Sequence, residues 1–196
     1  MFLDRRLTKR KEDSPDDQFL DSNTQYASAH CWFLEFSFRN AELCEANPVP
    51  GILDALIGSG LPESARPDVH TVINELYVNA LDYGVLAMSE SQKQGEDSFY
   101  QFHEDRDQKL QRLAELGDSA RTWIKIDCML DIADRPRLEI VVADSGPGMM
   151  DSTVTEDPQR HCSEHLSGRG LHIVRSLASE LQFYGQKNQI KVVYQC

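Results

Sequence analysis

Three short polar motifs constrain this chain more than any other feature. Glu75-Leu-Tyr-Val-Asn79 lies inside a helical pattern. Asp144-Ser-Gly-Pro-Gly148 follows an apolar strand pattern, and Gly168-Arg-Gly-Leu171 opens a second helical pattern. A fold that uses all three must bring a helix face, a strand end and a helix start to one cavity. Each motif has an ordinary reading on its own: a solvated helix face, a turn, or a glycine-rich loop before a helix. Their order within one module carries the argument.

The stretches between the motifs set the architecture. Residues 1–28 are polar and charged and read as a linker or tether, leaving 29–196 as one domain. Residues 31–38 read as an aromatic-rich strand, and 48–58 as a helix stopped by Gly58-Ser-Gly60. In the next helix Ser64 is the expected N-cap, Pro67 sits in the first turn, and Val69, Val72, Ile73, Leu76, Ala80 and Tyr83 form the core stripe. Residues 89–118 form a charged insert with a helical stripe of Phe99, Phe102, Leu110, Leu113 and Leu116. Strands are predicted at 122–131 and 137–144, a loop at 149–167, a helix at 169–179 and a hairpin at 181–194. Strands clustered as hairpins, with helices between the clusters, predict an α+β class. The expected form is a two-layer α/β sandwich with a mixed, mostly antiparallel sheet and helices on one face.

Composition narrows the partners. A chain of 196 residues suffices for one buried core with length to spare. The formal net charge of −12 argues against nucleic acid as a partner, so an anionic ligand must be held locally by helix amides, a metal ion or a few arginines. Apolar runs are too short to span a bilayer, and residues 1–11 lack the apolar core of a signal peptide. The cysteines (Cys31, Cys44, Cys128, Cys162 and Cys196) are odd in number and form no CxxC pair, as expected of cytoplasmic thiols.

The motifs carry a specific chemistry. Glu75 and Asn79 are one helical turn apart on one face, and Asp82 extends that row. An amide oxygen such as that of Asn79 suits magnesium, and a carboxylate one turn earlier can orient or deprotonate a hydroxyl. Asp144 can accept a hydrogen bond from the adenine amino group, while Gly146 and Gly148 permit turns that a Cβ would hinder. Gly168 and Gly170 precede a helix whose free amides favour phosphate. The expected ligands are ATP and Mg²⁺. His161, Cys162 and His165 supply only three potential zinc ligands within a loop, and His70 lies inside the motif helix rather than in a preceding dimerisation hairpin.

In order and content the motifs resemble the GHKL superfamily (gyrase, heat-shock chaperone, histidine kinase, MutL), whose nucleotide pocket is the Bergerat fold. The short loop before the third motif is most similar to the anti-sigma-factor serine/threonine kinases. The insert, the Gly-Arg-Gly-Leu motif and the tether resemble the C-terminal modules of bacterial receiver–phosphatase regulators. The resemblance implies Glu75 as catalytic base, Asn79 as the magnesium ligand, and Asp144 as the adenine reader. It implies nucleotide contacts at Gly146, Gly148, Gly168, Arg169, Gly170 and Leu171, ordered water at Asp82, and residues 149–167 as an ATP lid. The implied partner is a STAS-type anti-sigma-factor antagonist, with a sigma or anti-sigma factor as a further one.

Two positions depart from that family. Leu166-Ser167 stands where an arginine often precedes the third motif, leaving Arg169 or Arg160 to substitute, and Tyr83 replaces a frequent histidine. Two functions therefore stay open: a serine kinase of partner switching, and a non-catalytic module that sequesters a regulator according to nucleotide state. The insert stripe is expected to pack on its own domain, with a homodimer as the second option.

Overall fold

Alternation of apolar and polar side chains gives two of the long strands one buried face each. The computed structural model describes residues 6–8, 30–45, 47–88, 96–133, 135–147, 169–185 and 188–196. Strand β2 (Cys31–Arg39) buries Leu34, Phe36 and Phe38, and β3 (Trp123–Asp131) buries Ile124, Ile126, Cys128 and Leu130. The register places Phe36 opposite Ile126 and Leu34 opposite Cys128, so the two apolar rows share one face. With β4 (Arg137–Asp144), β5 (Glu180–Tyr184) and β6 (Gln189–Gln195) they form a sheet of order β1-β2-β3-β4-β6-β5, antiparallel at every described pairing. Its edge strand β1 (Arg6–Thr8) comes from the stretch read as a tether and pairs with β2.

Helices α1 (Glu42–Glu45), α2 (Val49–Gly58), α3 (Arg66–Asn79), α4 (Glu96–Leu116) and α5 (Arg169–Leu177) complete the α+β arrangement. Val69, Val72, Ile73 and Leu76 of α3 are fully buried in the same cluster as the inner face of the sheet, and Val174 of α5 joins them. Ser64 is not the N-cap of α3. A 3₁₀ turn over Glu63–Ala65 runs straight into the helix, so Ser64 already lies in a helical turn and no side chain caps the amides. Pro67 occupies the first turn as expected.

At its C-terminal end α3 continues into a π-helical turn, Ala80–Val85. This wider turn leaves Tyr83 only half-buried while Ala80 and Leu81 stay in the core. The insert helix α4 packs back onto its own domain. Phe102 and Leu113 are buried in the common core and Leu110 packs against it, whereas Phe99 and Leu116 are 59% and 57% exposed. The Cys44 thiol donates to the Leu110 carbonyl at 3.3 Å, tying α1 to α4. No helix among the described residues is long and apolar enough to cross a membrane.

Candidate functional site

The first and third motifs meet where α3 packs against α5. A Cβ built on Gly170 would fall on Oε2 of Glu75, and Asn79 Nδ2 lies 3.9 Å from the same point. Glu75 and Asn79 are both half-buried, so the pair looks across a narrow space at the first turn of α5. Any side chain at position 170 would evict the Glu75 carboxylate. Arg169, the first residue of α5, is exposed, and Leu171 packs against the core.

The second motif is built at the end of β4. Ile124 faces Asp144 across the β3–β4 pairing, and the Ser145 amide donates to the Trp123 carbonyl at 3.0 Å. On the other side the Asp144 amide donates to the Asn188 carbonyl at 3.1 Å, and Asn188 Nδ2 returns a bond to the Asp144 carbonyl at 3.2 Å. With its backbone held from both flanks, Asp144 is a buried residue, only 8% exposed. Gly146 N–H donates to its Oδ1 at 2.7 Å. Burial pushes the Asp144 carboxyl up to about 6, against the opposing pull of that amide.

A glycine that the motif reading passed over closes this seat. A Cβ on Gly84 would land on the Asp144 carboxyl group, 2.7 Å from its Oδ2, and a Cβ on Gly146 would land on the Gly84 backbone. The π-turn and the Asp144 loop can touch only because both positions lack a side chain. The available signal was a glycine five residues after Asn79 inside a helical pattern, where it costs helix stability unless close packing requires it.

Asp82, three residues beyond Asn79, has a partner outside the motifs. The π-turn carries an extra residue per turn, and the Asp82 carboxylate meets Arg106 of α4, whose Nε donates to Oδ1 at 2.7 Å. Asp82 is thus tied to the insert, a partnership that local sequence spacing could not reveal. Gly148, Gly168, Leu166, Arg160 and the expected lid at 149–167 lie outside the described residues. Among the described residues no three His, Cys, Asp or Glu side chains converge as a metal site.

The site therefore joins a carboxylate and an amide facing a glycine at a helix start to a buried carboxylate at a strand end. A family model described as the histidine kinase-like ATPase domain matches residues 50–194. That span covers most of the chain, the sheet strands from β3 onward up to residue 194, and all three motifs. The chain belongs to this family of GHKL-type ATPase domains and binds ATP as a kinase-like domain. No curated protein matches the chain.

The residues present fit a nucleotide. A buried carboxylate with one amide donor from the described residues retains acceptor capacity that an amino group can fill. The bare position at Gly170 keeps the Glu75–Asn79 face uncovered.

Proposed function

We propose that this chain is an ATP-dependent serine/threonine protein kinase acting on a STAS-type anti-sigma-factor antagonist, within a bacterial partner-switching regulator in the cytoplasm. The observation that carries the reading is the convergence of Glu75 and Asn79 on Gly170. Mg·ATP supplies the phosphoryl group. Asn79 would offer its amide oxygen to a magnesium ion, which would supply charge neutralisation for the phosphates. Glu75 accepts the proton of the acceptor serine hydroxyl as that oxygen bonds to the γ-phosphorus and the bond from the γ-phosphorus to ADP breaks, releasing ADP. Asp144 accepts a hydrogen bond from the adenine amino group, and Gly146, Gly148, Gly168 and Gly170 are assigned as the nucleotide-contacting glycines. Arg169, exposed beside Gly170, takes the place of the arginine that related kinases carry before the third motif. Residues 29–196 act as the domain and much of 1–28 as its tether. Incubation with labelled ATP and a STAS-domain substrate tests the proposal, with phosphoserine on the substrate as the expected product. ATP binding without any transfer would instead support the second reading, a nucleotide-dependent module that sequesters a sigma or anti-sigma regulator. Leu166-Ser167 in the arginine position favours that reading.

Asp144 gives this assignment a sharp test. Asp144→Asn keeps the volume but loses the charged acceptor, a hydrogen bond worth about 1.5–3 kcal/mol. ATP affinity should fall by about 10²-fold in titration calorimetry. The raised carboxyl predicts pH dependence with opposite signs for binding and folding. The ionised form accepts the adenine hydrogen bond, so affinity should decline as pH falls through about 6. The folded state holds the Asp144 proton more tightly than the unfolded chain does. Its contribution to folding is therefore most favourable at low pH and is lost as pH rises through about 6. Asp144→Asn should flatten the acid limb of binding without lowering the melting temperature at pH 7. Equal affinity of the wild type for ATP and GTP would overturn the adenine assignment.

A further inference from the structure

The π-turn Ala80–Val85 follows directly on Asn79 and carries Gly84. A π-helical turn is rare and commonly found as a single turn at functional sites. Here it runs into Ala87, which has φ +46°, a left-handed conformation that a Cβ disfavours. Within the turn, Leu86 N–H donates to the Leu81 carbonyl and Met88 N–H to the Asp82 carbonyl, each at 2.8 Å.

Helix α4 supplies what the turn lacks. Arg106 pairs with Asp82, which is 4% exposed, and Lys109 Nζ donates to the carbonyls of Leu86 at 2.8 Å and Ala87 at 3.0 Å. A lysine ammonium at this place satisfies open carbonyls and opposes the negative end of the helix dipole. The two contacts grip the chain on either side of Gly84, the residue against which the Asp144 carboxylate rests. Asn79, on the other arm of the site, immediately precedes the turn.

We propose that Arg106 and Lys109 are positioning residues for the nucleotide site: the insert helix is a strap that holds the strained π-turn, and through Gly84 the Asp144 seat, in its binding geometry. The proposal rests on the reading of Asp144 as the adenine acceptor. Neither residue need touch the nucleotide. Releasing the strap lets Ala87 relax toward a common backbone conformation and draws Gly84 away from Asp144, so the free protein must reorder the turn before it binds.

The test measures ATP affinity by calorimetry, and folding by circular dichroism and thermal melting, for the whole chain. Lys109→Met keeps the aliphatic stem but removes the ammonium, and Arg106→Gln removes the charge facing Asp82. Asp82→Ala/Arg106→Ala removes both charges, so it reads the strap even if Arg106→Gln leaves a buried carboxylate that prevents folding. Tyr194→Phe is the control: it deletes the 3.1 Å bond from the Tyr194 hydroxyl to Asp68 at the far end of α3, a loss of packing order unconnected with the π-turn. Lys109→Met and the double variant should each lower ATP affinity by about tenfold. Arg106→Lys should recover most of the loss caused by Arg106→Gln, and Tyr194→Phe should bind ATP like the wild type. ATP affinity unchanged in both Lys109→Met and the double variant overturns the strap. So does an equal loss in Tyr194→Phe, which would reduce the effect to general destabilisation. Failure of the wild type to bind ATP would sink the underlying adenine reading instead, and is seen before any variant is made.

Discussion

Glu75→Gln should slow phosphoryl transfer to a STAS-domain serine by about 10²–10⁴, the usual contribution of a positioned general base. Glutamine preserves the shape of the side chain that fills the space beside Gly170, so the packing of α3 against α5 should survive. Neither Asn79 nor Asp144 is altered, and ATP affinity should stay within about twofold, because only an interaction made in the transition state is removed. Glu75 has a second physical role that the same variant exposes. Its Oε2 lies against the first turn of α5, the positive end of that helix's dipole. A small fall in melting temperature should therefore accompany the slower transfer. Single-turnover measurements with bound ATP separate the two roles. Transfer at the wild-type rate would remove Glu75 as the base. A large loss of ATP affinity would make it a pocket wall rather than a catalytic residue.

What could be read in the sequence follows from the range of the interactions involved. Strand β4 was placed to the residue, because a continuous apolar run ended by Asp144-Ser-Gly-Pro has few other meanings. That the first and third motifs share one cavity was legible from their order, but the contact of Gly170 with Glu75 was not, since glycines before a helix point equally to phosphate-binding amides. Nor was the pairing of Asp82. Helical spacing extrapolates a regular 3.6-residue turn, and the π-turn at Ala80–Val85 breaks that regularity with no composition signal of its own. Arg106 and Lys109 come from a helix more than twenty residues away, and their targets are a carboxylate and two backbone carbonyls. Ser64 failed as a cap for a related reason. Serine is favoured at an N-cap only where the backbone is still extended, and the preceding 3₁₀ turn had already wound it. Asn188 carries a further lesson, since its bonds to the Asp144 backbone depend on a strand pairing formed at the far end of the chain.

The insert divides its own apolar stripe into two classes, and two substitutions on one helix should show it. Leu113 of α4 is 6% exposed within the common core, whereas Leu116, three residues later, is 57% exposed. Leu113→Asp forces either a buried carboxylate with no partner or the opening of α4 from the domain. The expected loss of folding stability is about 4 kcal/mol or more, in the range where single substitutions report a buried unpaired charge. Leu116→Asp places its charge in water and should change stability by no more than about 0.5 kcal/mol. Denaturant unfolding of both variants measures the difference directly. A closed strap predicts more than a stability gap. Because Arg106 and Lys109 ride on the same helix as Leu113, partial opening of α4 should lower ATP affinity in the molecules that remain folded. Leu116→Asp should leave affinity at the wild-type value, provided that the exposed end of α4 is not a contact between two copies of the chain. Sedimentation of Leu116→Asp beside the wild type decides that last point. A dimer lost on substitution would place self-association on the exposed part of the stripe, while Leu113 would still belong to the core. Equal stability of the two variants would contradict the packing of α4 onto its own domain, and the insert would then have to be covered by a second molecule.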